Sequence, residues 1–116
     1  MNPFFYLRQV ICDYIDCRMS LNMMSSPEIM REFAEKAVRL SGSNVVKYID
    51  FSFKPHGYTL MMVLENSSLS LHTWPEEKFI SVEIFTCGEQ CNPRKGLESL
   101  TDVFKPETVQ FHEIKR

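Results

Sequence analysis

The clearest periodicity lies in SSPEIMREFAEKAVRLSG, residues 25–42. Ile29, Phe33 and Ala37 recur every four positions, with Met30 and Val38 beside them, so one face of a helix is apolar. Glu28, Arg31, Glu32, Glu35, Lys36 and Arg39 take the other face, as on a solvated surface. Ser26 stands where a cap is needed, Pro27 suits the first turn, and Gly42 can close the end. A second helix is predicted in NPRKGLESLTDVF, with Asn92 as cap, Pro93 first, Leu97 and Leu100 inward, and Lys105-Pro106 as the stop.

Elsewhere the period is two. In KFISVEIFT, Ile80, Val82 and Ile84 fall on one face and Ser81, Glu83 and Phe85 on the other, which Cys87 continues. FYLRQVICDYI, NVVKYIDFSF, YTLMMVLE and ETVQFHEI are rich in β-branched and aromatic residues and read as strands. KPHG, with Pro55 and Gly57, is a turn that makes the middle two a hairpin. SLSLHTW reads as a short extended piece and LNMMSS as a loop. The order β-α-β-β-β-α-β predicts an α+β two-layer sandwich: a mainly antiparallel sheet with two helices on one face.

A chain of 116 residues fits one domain spanning 1–116. With 44% hydrophobic residues and a net charge of −2, it can build a core and does not have the composition of a disordered chain. Arg94-Lys95 and Lys115-Arg116 are isolated basic pairs, so no nucleic-acid partner is expected. No apolar run is long enough for a bilayer. Arg8, Asp13 and Asp16 interrupt the apolar N-terminal stretch, and no small-residue cleavage site follows, so a cytoplasmic location is expected. Cys12 and Cys17 are spaced C-x4-C, and Cys87 and Cys91 C-x3-C, looser than the C-x2-C of structural zinc. Partly buried thiols are expected, with no metal.

ENSSLSLHTWPE, residues 65–76, concentrates the reactive groups. A serine hydroxyl needs a base to become a nucleophile, and His72 can supply one. On a regular strand Ser68 and Ser70 share the face of His72, and Ser67 takes the other. No aspartate follows closely and no G-x-S-x-G occurs, so an ordinary serine hydrolase fits poorly. Residue chemistry alone leaves turn serines and a structural histidine as the plainer account.

LSLHTWPE followed by VEIFTCGE, with FKPHGYT ahead of both, resembles the central motifs of the bacterial and archaeal S-adenosylmethionine decarboxylase proenzymes. The match runs from Phe53 to Glu89. The resemblance implies an enzyme made as one chain that cuts itself between Asn66 and Ser67, leaving a pyruvoyl group derived from Ser67 as its cofactor. His72 becomes the base for elimination, Thr59 its hydrogen-bonding helper, and Cys87 the acid that returns a proton to the substrate carbon. The pyruvoyl ketone forms a Schiff base with the substrate amine and acts as the electron sink for decarboxylation. The resemblance assigns Phe53, Leu69, Trp74 and Glu76 to substrate binding. The aromatic rings suit adenine and a sulfonium, and the carboxylate suits ribose hydroxyls. It also implies a homodimer, with active sites formed between copies, serving spermidine synthesis.

Three positions depart from the family pattern. Asn66 stands where glutamate is usual, Ser68 where histidine is usual, and Gln9 where a histidine usually precedes the acidic and cysteine positions filled by Asp13 and Cys17. Two other readings remain at this stage. One is the same chemistry on ornithine or arginine, against which Phe53, Trp74 and Glu76 speak. The other is an uncleaved, non-catalytic paralogue that binds a ligand or regulates a decarboxylase, against which Ser67, His72 and Cys87 speak. A structural metal-binding module comes last.

Overall fold

A computed structural model describes residues 6–116. Its elements are β1 (Leu7–Ile15), α1 (Leu21–Met24), α2 (Pro27–Leu40), β2 (Val45–Ser52), β3 (Tyr58–Leu64), β4 (Ser67–Trp74), β5 (Phe79–Cys87), α3 (Pro93–Phe104) and β6 (Thr108–Lys115). A single 3-10 turn, Pro75–Glu77, joins β4 to β5. Phe5, the first residue of the predicted opening strand, lies outside the described residues.

The helix signals act as read. The Ser26 hydroxyl accepts from the Ile29 amide at 3.3 Å, and Asn92 accepts from the Arg94 amide at 3.1 Å. Gly42 follows α2 with φ 92°, and Lys105 closes α3 with φ 50°. The apolar stripe of α2 is rotated from the expected one. Met30, Ala34, Ala37 and Val38 are buried, while Ile29 and Phe33 lie on the flank. LNMM, expected as loop, forms a one-turn helix because Ser20 caps it and Met24 sinks into the core. Among the described residues three helices, not two, therefore accompany the sheet.

The six strands form one sheet in the order β2-β3-β4-β5-β1-β6, every neighbouring pair antiparallel. The core lies between this sheet and the helices. Val10, Cys12, Tyr14, Tyr58, Leu60, Met62, Leu69, Leu71, Ile80, Val82 and Ile84 come from the strands, and Met24, Met30, Leu97, Leu100 and Phe104 from the helices. Gly96 lets α3 approach α2 closely, because a Cβ there would collide with the Ala37 carbonyl and the Ser41 side chain.

Among the described residues, the other sheet face carries no helix. By strand alternation it presents Ile49, Phe51, Met61, Val63, Ser68, Ser70, His72, Trp74, Ser81 and Glu83. Ile49 is 72% exposed, and Phe51, Met61 and Val63 are also open. Among the described residues, no helix is long and apolar enough to cross a membrane.

Candidate active site

The register divides the sequence-selected residues between two ends of the sheet. Thr59 pairs with His72 across β3 and β4, and the Thr59 hydroxyl lies 3.0 Å from His72 Nδ1. Phe53, just past β2, has its amide bonded to the Gly57 carbonyl at 2.8 Å. That bond folds the Phe53–Gly57 turn over the end of β3. Gly57 has φ 118° and lies against the Phe53 side chain, where a Cβ would meet Phe53 Cβ at 3.4 Å. Phe53, His56, Gly57, Thr59, His72, Thr73 and Trp74 line one cleft of about 320 Å³. Trp74 stacks obliquely on Phe79 at 5.2 Å and stands 6.0 Å from the His72 ring. Glu76 is exposed in the 3-10 turn that follows. This end therefore combines an imidazole, its hydroxyl partner, open aromatic rings and an exposed carboxylate.

Ser67 and Cys87 belong to the opposite end. Ser67 opens β4 and pairs with Leu64 across the turn at Glu65 and Asn66. Its hydroxyl donates to the Glu65 carbonyl at 3.0 Å. Asn66 has φ 58°, a left-handed conformation that asparagine tolerates better than most residues. The bond the resemblance marks for cutting thus follows the bent residue of a tight hairpin. Cys87 ends β5 opposite Leu7, half-buried. Cys91 lies behind it, its thiol donating toward the Cys87 carbonyl at 3.6 Å, and burial raises its pKa.

His72 lies five positions after Ser67, which at the rise of an antiparallel strand is ~17 Å. The two ends do not meet within one chain.

Leu69 is 1% exposed and packs in the core, so it can offer the open face only its main chain. Asp13 and Gln9 do reach the open face. Ser81, directly across from His72, donates to Asp13 at 2.6 Å, and Gln9 donates to Glu83 at 3.0 Å. Sequence reading left Ser81 and Glu83 without a role, because only the strand order brings β1 beside β5. Cys17 is buried, donates to the Tyr14 carbonyl at 3.5 Å, and is pushed up to about 11 by burial and then by Asp16. It lies away from the open face. All four cysteines are free thiols, and among the described residues no three His, Cys, Asp or Glu side chains converge as metal ligands would.

The family model for S-adenosylmethionine decarboxylase matches residues 8–116. The chain belongs to the S-adenosylmethionine decarboxylase family. It is 32% identical over 109 residues to the S-adenosylmethionine decarboxylase proenzyme of Moorella thermoacetica, covering 94% of this chain and 86% of that one. With the proenzyme of Methanococcus aeolicus the identity is 33% over 110 residues, covering 94% and 92%. The crystal structure of the adenosylmethionine decarboxylase from Aquifex aeolicus superposes with a TM-score of 0.85 at 22% identity, over 97% of this chain and 91% of that one, and so shares the fold. The α+β class read from the sequence agrees with this family fold.

Proposed function

We propose that the chain is a self-processing S-adenosylmethionine decarboxylase whose active sites are each assembled from two copies. The observation that carries this reading is the separation of Ser67 and Cys87 from Phe53, Thr59, His72, Trp74 and Glu76 along the sheet. A two-fold axis normal to the strands exchanges the ends, bringing the first group of one copy to the second group of the other. The helix-free face, with its open Ile49, Phe51, Met61 and Val63, is the surface that such a partner covers. Facing sheets pack ~10 Å apart, close enough for side chains of both to share one pocket.

Maturation starts when Ser67 Oγ attacks the Asn66 carbonyl carbon. The main-chain amide becomes an ester, and elimination across Ser67 then parts a 1–66 chain from a 67–116 chain. His72 takes the proton from the Ser67 α-carbon, and Thr59 holds the imidazole through Nδ1. Elimination leaves a dehydroalanine at residue 67, and water hydrolyses its imine tautomer with loss of ammonia; the pyruvoyl group so formed would supply an electron-accepting carbonyl for loss of carbon dioxide. The Cys87 thiol donates the proton that replaces the carboxylate. Phe53 and Trp74 hold the adenine, and Glu76 accepts from the ribose hydroxyls. Ornithine and arginine have neither ring nor ribose to use these groups, which favours S-adenosylmethionine and the spermidine pathway. Four free thiols suit a reducing, cytoplasmic setting.

Intact-mass measurement tests the processing step. Two fragments meeting at Asn66–Ser67, the second with a blocked N-terminus, are expected, together with carbon dioxide release from S-adenosylmethionine but not from ornithine or arginine. One uncut, inactive chain would overturn the reading in favour of a ligand-binding paralogue.

A further inference from the structure

The ladder between β4 and β5 runs from Trp74 opposite Phe79 to Ser68 opposite Phe85. Carried one step further, it sets Thr86 across from Ser67. Both follow the alternation of Leu69 and Ile84, which point to the helix side and are buried. Directly opposed residues in such a ladder have Cβ atoms about 4.5–5.5 Å apart.

Thr86 is 1% exposed, and among the described residues its hydroxyl has no hydrogen-bond partner. A buried hydroxyl without a partner is uncommon and destabilising. Here it sits across from the residue at which the chain is read to cut. Ser67 Oγ meanwhile donates to the Glu65 carbonyl, one residue before the carbonyl it has to attack. To react, Ser67 must give up that bond, and its proton then needs another acceptor.

We propose that Thr86 is a processing residue, whose hydroxyl accepts the hydrogen bond from Ser67 Oγ in the reactive rotamer and holds that oxygen against the Asn66 carbonyl carbon. The assignment rests on the self-cleavage reading. In the step it assists, the Oγ–C bond forms, the Asn66–Ser67 C–N bond breaks, and the proton that leaves Oγ ends on the freed Ser67 amino nitrogen. Atoms and charge balance without any further reactant.

The test follows cleavage by intact mass after cell-free translation of the full chain. Thr86→Val keeps the shape and removes the hydroxyl, and Thr86→Ser keeps the hydroxyl. Thr86→Val should mature roughly tenfold slower or more, as expected when one hydrogen bond at the reacting atom is lost. Its melting temperature should not fall, because an unpartnered buried hydroxyl has been replaced by a methyl group. Thr86→Ser should mature at close to the parental rate. The uncut Thr86→Val chain should resist hydroxylamine, which marks it as an amide stalled before the ester. If Thr86→Val does not fold, Thr86→Ala removes the same hydroxyl and should show the same slowing. A hydroxyl-free variant that matures at the parental rate, or one that accumulates a hydroxylamine-sensitive ester, would overturn the assignment. A parental chain that never cuts is a separate failure, which removes the self-cleavage reading itself.

Discussion

Ser67 and His72 occupy opposite ends of one strand, ~17 Å apart, although they lie within one short sequence motif. Nearness in sequence along a strand is distance in space. Two residues on one straight strand cannot be brought together by side-chain rotation, so a base acting on Ser67 has to come from elsewhere. In the dimer proposed above, a second copy supplies it across the open sheet face.

Cys87→Ala should still cut itself, because the thiol is assigned to the later protonation. Its turnover should drop by ~10²–10⁴, the usual contribution of a placed general acid. Fragment masses and carbon dioxide release measure the two effects separately, and normal turnover would remove Cys87 from the role.

Thr59→Val should slow maturation by about tenfold through loss of the hydrogen bond at His72 Nδ1, while Thr59→Ser should keep it. The time course of precursor loss reads this directly. Equal rates for the two variants would make the Thr59 hydroxyl incidental.

Trp74→Ala should raise KM by roughly fivefold and leave cutting intact, since loss of an aromatic or cation–π contact costs about 1 kcal/mol. Trp74 is open to solvent and packs on Phe79, not in the core, so stability should change little. A large fall in melting temperature would show that its ring is structural.

These site predictions start from residues that the sequence displayed openly. The helix caps Ser26 and Asn92 were legible because capping is local chemistry, and the faces of β5 because alternation is local geometry. The pairing of β1 with both β5 and β6 was not legible, since strand order depends on contacts between distant segments. For the same reason Ser81, Glu83 and Thr86 gave no signal: each gains meaning only from what stands across from it. The short helix at Leu21–Met24 was missed because four residues are too few to show a period.

Asp50 ties the sheet to α2, accepting from both the Arg31 guanidinium and the Tyr58 hydroxyl at 2.7 Å. The Tyr58 hydrogen bond, then Arg31, holds its pKa below the ordinary 3.8 against the opposing effect of burial. A lowered carboxylate pKa stabilises the fold above the unfolded value and loses that effect as pH falls through the folded one. Asp50→Asn should therefore cost about 1 kcal/mol near neutral pH, a modest figure for a partly exposed pair, and lower the melting temperature by ~4 °C. The gap between the two proteins should narrow as pH falls below 3.8 and close once pH passes the lowered folded value. A gap that persists there would assign the effect to shape and not to charge.

The most direct test of the shared site mixes two inactive chains. Ser67→Ala lacks the nucleophile and His72→Ala lacks the base, and each alone should give no decarboxylation. Co-expressed, they form mixed dimers in which one site takes an intact Ser67 and Cys87 from one copy and an intact His72 and Thr59 from the other. About a quarter of the parental activity is expected if copies pair at random. Activity at that level, from chains that are inactive apart, is the predicted result. If the mixture stays as inactive as its components while dimers form, the site lies within one chain and the two-copy account is contradicted.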